Sequence, residues 1–209
     1  VPSYAQVVAA VNARAKPDDP MVTAAGGLPG ETAKGWRVKS PNTYDLEFGF
    51  SAMGYEIAGG WGHAMACAET GKGTPIVMVG DGSYLMMNSD IYSTVLTGHK
   101  LIVVVCDNGG FGVINRLQNF KGVPSYNNLI KDSRVKEPFA VDFVKHAESI
   151  LAAARRFHLD HIGAHVAQQH GAIRAGNETR NIEHAKALQR AGLRRRSFSC
   201  FAIRHTYNP

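Results

Sequence analysis

Two short oxygen-bearing side chains directly follow two apolar runs of the sequence. Asp81 has glycine on both sides and comes after the run 75–79, and Asn108 precedes glycine and comes after the run 101–106. Carboxylate and amide oxygens are the ligands that a hard cation takes in proteins, and glycine lets the backbone come close to a bound phosphate. The sequence therefore predicts a site for a hard cation and a phosphate-bearing ligand.

The elements that must position these side chains form a strand–helix–strand unit. The runs 75–79 and 101–106 are rich in β-branched residues, and the spacing between them predicts a helix from about Leu85 to Gly98. Such a unit places both strands in a parallel sheet that is buried on both faces. Ligands of these sheets bind outside the carboxyl ends of the strands. We therefore expect an α/β fold, a parallel sheet flanked by helices, with the site at the carboxyl ends of its strands.

Further glycines suggest that more of the backbone approaches the ligand. A strand predicted at 21–25 ends on Gly26 and Gly27, which either contact a ligand or form an ordinary turn. The long segment 48–69 has glycines at 54, 59, 60 and 62, although each costs a helix interior about 1 kcal/mol relative to alanine. These glycines imply close backbone packing or a ligand.

The other elements are assigned from capping and spacing. A capping box that begins at Ser3 predicts a first helix, and residues 141–150 have helical spacing. We expect irregular structure over 31–47 and 119–139, and a loop over 109–118.

The pattern around Asp81 resembles the diphosphate motif of the thiamine diphosphate-dependent enzymes. In that family a Gly-Asp-Gly group precedes an asparagine, and here 25 residues separate Gly82 from Asn108. The resemblance implies that Asp81, the Asn108 side chain and the backbone carbonyl of Gly110 hold Mg²⁺ on the diphosphate. Magnesium ions prefer a few oxygen ligands together with phosphates.

The resemblance also implies contacts to thiamine diphosphate. Gly82 and Ser83 would donate backbone amides to the diphosphate, and the loop 109–118 would pass over it. Met53 matches the bulky apolar residue that bends the cofactor in the family, and a flexible core-filling methionine is the alternative. The predicted cofactor contacts are Gly26, Gly27, Ser51, Met53, Gly82, Ser83, Gly110 and Phe111.

The resemblance covers residues 1 to about 150 and favours one branch of the family. That branch consists of ring-opening hydrolases that cleave a C–C bond of a trihydroxycyclohexane-1,2-dione in myo-inositol catabolism, and acetohydroxyacid synthase-like enzymes are the nearest alternative. The resemblance implies a cyclic dione substrate, a homo-oligomer and a pyrimidine-binding domain that supplies an activating glutamate. No segment here matches that domain, so we expect no activity from this chain alone. The chain would otherwise be a non-catalytic cofactor-binding remnant or one subunit of a split enzyme.

Residues 151–209 differ in composition from residues 1–150. They hold ten Lys or Arg and three Asp or Glu, a balance of +7, so the whole-chain charge of +6 leaves −1 for the first part. We predict a cofactor-binding domain at 1–150, incomplete at its C-terminal end, and a basic tail at 151–209 of doubtful fold. The abrupt change suggests a shifted reading frame or a foreign terminus, and only 198–203 has the pattern of a strand.

The tail contains two weaker site patterns. His158, His161 and His165 share one helical face, with His170 beyond, but no cysteine is near and we interpret the spacing as accidental. The arginines at 194–196 would suit nucleic acid, although no aromatic residues are interleaved with them. A basic nucleic-acid-binding protein is therefore the third and least favoured hypothesis.

Cysteine usage and hydropathy bear on the compartment. The three cysteines are widely spaced, and two of them, Cys67 and Cys106, lie among apolar residues. This usage is typical of reduced, buried thiols. Because no apolar run reaches 18 residues and no signal peptide is recognisable, we expect a cytoplasmic protein without a membrane span.

Overall fold

The fold is a five-stranded parallel sheet with helices on both faces, in the strand order β2-β1-β3-β4-β5. The computed structural model describes residues 2–137, 140–156 and 199–204. The strands are β1 (Met21–Thr23), β2 (Tyr44–Leu46), β3 (Ile76–Gly80), β4 (Ile102–Asp107) and β5 (Ser199–Arg204). The helices are α1 (Tyr4–Arg14), α2 (Leu28–Gly35), α3 (Tyr55–Thr70), α4 (Asp81–Met86), α5 (Asp90–Leu96), α6 (Gly112–Phe120) and α7 (Phe143–Arg156), with a 3₁₀ turn at Ile130–Asp132.

The strands β3 and β4 form the centre of the sheet, as their apolar sequences predict. Their register pairs Val77 with Val103 and Gly80 with Cys106, so both strands end at the same level. Apolar side chains of the two strands are buried on both faces of the sheet, in two separate clusters. The parallel α/β prediction is confirmed, and the register brings the residues after Gly80 next to those after Cys106.

The glycines of α3 allow this helix to lie close to the sheet. A Cβ atom on Gly60 would overlap the side chain of Val77 in β3. Gly54, the N-cap of α3, has a φ of +96°, and a Cβ atom there would overlap Met87. Close backbone packing was one of the two explanations that the sequence left open, and it accounts for these two positions.

Several predictions of local secondary structure are wrong. The segments 31–47 and 109–118 were expected to be irregular, yet they contain most of α2, the edge strand β2 and much of α6. Helix α2 begins beside Pro29, which suits the first turn of a helix because its missing N–H is not needed there. The predicted helix 85–98 is two helices, α4 and α5, separated at residues 87–89.

The end of the chain contributes to the sheet. Helix α7 runs past position 150, and β5, within the predicted strand pattern at 198–203 and one residue beyond it, pairs in parallel with β4. The tail histidines His158, His161, His165 and His170 and the arginines at 194–196 lie outside the described residues. Of the described helices, none is both long and apolar enough to cross a bilayer.

Candidate functional site

A cavity of about 330 Å³ lies at the carboxyl ends of β1, β3 and β4. Its walls come from the loops after these strands, the segment before α3, and helices α1 and α6. The ten residues predicted to contact the cofactor or the metal all line this cavity: Gly26, Gly27, Ser51, Met53, Asp81, Gly82, Ser83, Asn108, Gly110 and Phe111. Residues far apart in the sequence are thus brought together where the fold class predicts a ligand.

Asp81 is the first residue of α4 and only 4% exposed. Its Oδ2 atom accepts a hydrogen bond of 2.6 Å from the backbone N–H of Gly110, and its Oδ1 atom accepts a longer one of 3.4 Å from that of Asn108. Burial raises the pKa of Asp81 to about 6, while these backbone N–H groups act to lower it and the charge of Asp107 acts to raise it. A buried carboxylate with raised pKa is a group that a bound cation would stabilise.

The side-chain amide of Asn108 has one bonded end and one buried end. Its Nδ2 atom donates to the hydroxyl of Tyr4 at 2.6 Å, and its Oδ1 atom is buried with no hydrogen-bond partner among the described residues. Such buried unpaired acceptors are costly, and each needs an explanation such as an ion. Gly112 lies beside this amide, because a Cβ atom there would be 3.1 Å from Nδ2.

The loop after β4 is held against the chain segment near Leu129. Gly110 has a φ of +137°, and a Cβ atom on it would overlap the backbone carbonyl of Asn128. The amide of Phe111 donates to that same carbonyl at 2.8 Å. The loop therefore requires glycine at 110, and the carbonyl group of this residue is the one that the family resemblance implies as a metal ligand.

Phe111 and Met53 pack over Gly82 at the start of α4. A Cβ atom on Gly82 would lie 2.8 Å from the Phe111 ring and 3.5 Å from the Cε atom of Met53. Ser51, which also lines the cavity, has a φ of +49°. Its neighbours Phe50 and Ala52 donate backbone N–H groups to the Glu47 carboxylate, at 3.0 and 2.8 Å.

Sequence reasoning missed two polar residues of the site. Tyr4 lines the cavity, and its hydroxyl group orients Asn108 by accepting a hydrogen bond from it. Glu56 does not line the cavity and is fully buried. The Glu56 carboxylate accepts hydrogen bonds from the Ala25 amide, the Gly54 amide and the Ser83 hydroxyl. A charged residue within the apolar run of α3 was a signal that could have pointed to Glu56. No signal at Tyr4 distinguished it from the other residues of α1.

Sequence reasoning also missed much of the apolar wall. Val113, Ile114 and Leu117 of α6 line the cavity, because the segment predicted as a loop is a helix. Ile114 and Leu117 are also exposed. One wall of the cavity is thus a helix with apolar side chains that face solvent.

Comparison with protein families identifies the class. Residues 24–176 match the model of the thiamine pyrophosphate enzyme C-terminal TPP binding domain. This match spans most of the chain, so the chain belongs to the thiamine pyrophosphate enzyme family and carries its cofactor-binding C-terminal domain.

Curated relatives point to one branch of that family. The chain is 39% identical to a 3D-(3,5/4)-trihydroxycyclohexane-1,2-dione hydrolase of Listeria monocytogenes over 146 aligned residues. These residues are 70% of this chain and 22% of the relative. It is 42% identical over 120 residues to the protein of that name from Geobacillus thermodenitrificans, covering 57% of this chain and 18% of the relative. The chain therefore spans about a fifth of the length of these relatives.

Solved structures share the fold. A thiamine diphosphate-dependent 4-hydroxybenzoylformate decarboxylase of Rhodococcus jostii superimposes with a TM-score of 0.65 at 15% identity, over 99% of this chain and 33% of that one. A benzoylformate decarboxylase of Polynucleobacter necessarius gives a TM-score of 0.65 at 16% identity, over 97% and 33%. At this identity the likeness concerns the fold alone.

The residues present fit a magnesium ion and a diphosphate. The described residues contain no group of three His, Cys, Asp or Glu side chains that could hold a metal ion, so a metal here would be held by one carboxylate together with amide, carbonyl and phosphate oxygens. One carboxylate, one unpaired amide oxygen and a glycine-rich backbone are a donor set that suits Mg²⁺ bound together with phosphates. Zinc would require the nitrogen or sulfur ligands that this cavity does not present within the described residues.

Proposed function

We propose that this chain holds the diphosphate of thiamine diphosphate through one Mg²⁺ ion. Asp81, the Oδ1 atom of Asn108 and the carbonyl of Gly110 would be the protein ligands. The observation that carries this proposal is the buried oxygen of Asn108, which has no hydrogen-bond partner within the described part of the chain and lies in the same cavity as the Asp81 carboxylate. A cation between them would satisfy both groups at once.

The start of α4 and the loop after β1 would receive the diphosphate. Gly82 and Ser83 lie in the first turn of α4, where backbone N–H groups have no backbone carbonyl partner within the helix. A side chain at position 82 would press against Phe111 and contact Met53, so glycine keeps the space beside these two residues open. Gly26, with a φ of +91°, and Gly27 also line the cavity. Met53 and Ser51 would contact the part of the cofactor beyond the diphosphate.

We propose further that the reaction is the hydrolytic opening of a trihydroxycyclohexane-1,2-dione. The support is the 39–42% identity to hydrolases of that name. Thiamine diphosphate, when bound, supplies an electron sink for cleavage of a C–C bond next to a carbonyl group. The residues of this chain bind and orient the cofactor, and the group that activates its pyrimidine ring would come from a pyrimidine-binding domain.

Exposed apolar side chains on the segments that form the cavity support such a partner. These segments carry Phe48, Phe50, Leu85, Met86, Met87, Phe111, Ile114, Leu117 and Phe120, which we call the apolar rim, and Phe111, Ile114 and Leu117 line the cavity itself. Phe50 is 94% and Phe120 81% exposed. Large exposed apolar patches mark interaction surfaces, so we propose that a pyrimidine-binding domain or subunit covers the apolar rim.

A mixing experiment tests the reaction and the partner together. The chain would be combined with a pyrimidine-binding domain of a hydrolase relative, thiamine diphosphate and Mg²⁺, and ring opening of the dione would be followed. We expect cleavage only with both proteins, and loss of cleavage without loss of cofactor binding in Phe120→Asp, because Phe120 belongs to the apolar rim but does not line the cavity. Cofactor binding without any cleavage would instead favour a non-catalytic cofactor-binding module.

A further inference from the structure

One buried carboxylate at the site has no part in the proposed metal binding. Glu56 belongs to the first turn of α3 and is 0% exposed. Its Oε1 atom accepts a hydrogen bond of 3.2 Å from the Ala25 amide. Its Oε2 atom accepts bonds of 3.0 Å from the Gly54 amide and 2.7 Å from the Ser83 hydroxyl. Glu56 thus joins three separate segments of the chain.

Each of these three segments lines the cavity. Ala25 precedes Gly26 and Gly27 after β1, Gly54 follows Met53, and Ser83 follows Gly82 in α4. The Ser83 hydroxyl also accepts a bond of 2.7 Å from the Gly54 amide. The loop after β4 is instead bonded to Asp81. Two carboxylates therefore hold all four segments, and Glu56 holds three of them.

The surroundings of Glu56 suit a carboxylate, because its side chain is the acceptor in all three of these hydrogen bonds. Two backbone N–H groups and one hydroxyl group are directed at it, and bonds to an ionised acceptor are roughly twice as strong as neutral ones. Its location in the first turn of a 16-residue helix adds the favourable field of the helix N-terminus. A glutamine could accept only through one of its two terminal atoms, so at least one donor would face an N–H group.

We propose that Glu56 is a positioning residue that holds the cofactor-binding segments in their binding geometry before the ligand arrives. Fixing these segments in advance would reduce the ordering cost of binding. This inference rests on the proposed function, because it assigns the benefit to thiamine diphosphate. A carboxylate that only stabilised the fold would change stability without changing affinity.

Asp19 provides a matched control at the opposite end of the sheet. It is also buried, at 8% exposed, and its carboxylate accepts bonds from the Lys16 amide at 2.9 Å and the Thr74 amide at 2.7 Å. These bonds join the chain just before β1 to the chain just before β3. Asp19→Asn therefore removes an equivalent acceptor far from the cavity.

The experiment compares Glu56→Gln and Asp19→Asn in the whole chain. Calorimetric titration with thiamine diphosphate at saturating Mg²⁺ gives the Kd, and urea unfolding gives the folded fraction at the titration temperature. We expect the Kd to rise at least about tenfold for Glu56→Gln and less than about twofold for Asp19→Asn. Equal Kd values for Glu56→Gln and the unchanged chain, or equal losses in both variants, would overturn the proposal. Ser83→Ala, which removes one of the three donors, replaces Glu56→Gln if that variant does not fold.

Amide hydrogen exchange separates this inference from the proposed function. We expect the Ala25 and Gly54 amides to exchange at least about tenfold faster in Glu56→Gln, with the Val104 amide of β4 much less affected. Asp19→Asn should accelerate exchange at Thr74 and leave Gly54 unchanged. If the unchanged chain binds no cofactor, the proposed function fails, and unaltered exchange at Ala25 and Gly54 would independently overturn the role of Glu56.

Discussion

The Oδ2 atom of Asp81 lies 2.6 Å from the backbone nitrogen of Gly110, so the end of β3 is bonded directly to the loop after β4. The aspartate that would bind the metal therefore also shapes the loop that would supply another ligand. The Oδ1 atom of Asn108, which lines the same cavity, is buried and has no hydrogen-bond partner among the described residues. Two of the proposed metal ligands therefore lie in one cavity.

The Tyr4 hydroxyl should contribute to metal binding although it is not a predicted ligand. Tyr4→Phe removes the acceptor of the Asn108 Nδ2 group, so the amide loses the bond that fixes its orientation. A hydrogen bond of this kind contributes about 0.5–1.5 kcal/mol, and we expect Mg²⁺-dependent binding of thiamine diphosphate to weaken about 2- to 10-fold. Calorimetric titration measures the change.

Tyr44→Phe is the control for this prediction. The Tyr44 hydroxyl donates to Thr32 at 3.2 Å, and neither residue lines the cavity. The control should leave the Kd for the cofactor unchanged. A weakening of the same size in both tyrosine variants would contradict the role given to Tyr4.

Gly82 should be required for the space in the cavity rather than for the fold. Gly82→Ala places a Cβ atom 2.8 Å from the Phe111 ring, and this half-exposed ring can move only by changing the cavity wall. We expect the Kd for thiamine diphosphate to rise at least about tenfold, with a change in unfolding free energy below about 1 kcal/mol, since alanine favours the helix. Titration and urea unfolding measure the two quantities.

Gly62→Ala is the matched control for Gly82→Ala. Gly62 also lies in a helix, and a Cβ atom there has no neighbour within 4 Å. Alanine should stabilise α3 by up to about 1 kcal/mol and leave binding unaltered. Unchanged affinity in Gly82→Ala would show that the diphosphate does not approach the start of α4.

Metal-dependent binding should depend on pH through Asp81. Its pKa of about 6 lies above the ordinary value of 3.8, so a proton competes with Mg²⁺ for the carboxylate in the mildly acidic range. Because the ligand must be ionised, affinity for Mg²⁺ should be full near pH 8 and fall as the pH drops through about 6. Titrations between pH 5 and 8 measure this loss.

Stability of the metal-free chain should change in the opposite direction. The folded state binds the Asp81 proton more tightly than the unfolded state does, so this group favours folding at low pH and loses that contribution as the pH rises through about 6. Urea unfolding with EDTA measures the trend. Asp81→Asn should remove this part of the pH dependence, and an unaltered pH profile in that variant would contradict the assignment to Asp81.

The sequence was sufficient for the centre of this fold and for the location of Asp81 and Asn108 at the ends of its central strands. The β-branched runs at β3 and β4 determine a buried parallel pair, and the positions of Asp81 and Asn108 after those runs follow from the parallel register. Helix α6 was not predicted because the glycines before it are typical of a loop. Its apolar side chains are also partly exposed, so they give no clear core pattern.

The partners of Tyr4 and Glu56 depend on long-range contacts that no local pattern encodes. Tyr4 contacts Asn108 across 104 positions of sequence, and Glu56 accepts bonds from residues 31 and 27 positions away. Local spacing reports which face of a helix is apolar, but not which distant loop meets it. The division of the chain at position 150 stays a prediction, although α7 crosses it and β5 extends the sheet.

The most direct measurement is a calorimetric titration with thiamine diphosphate. The unchanged chain is titrated once with Mg²⁺ present and once with EDTA, and Asp81→Ala is titrated with Mg²⁺ present. We expect thiamine diphosphate to bind at one site per chain, only with Mg²⁺ present, and not to bind to Asp81→Ala. Cooperative urea unfolding should show that this variant still folds. Asp18→Asn, an exposed aspartate outside the cavity, should bind like the unchanged chain. Binding that persists in EDTA or in Asp81→Ala, or no binding by the folded unchanged chain, would contradict the account.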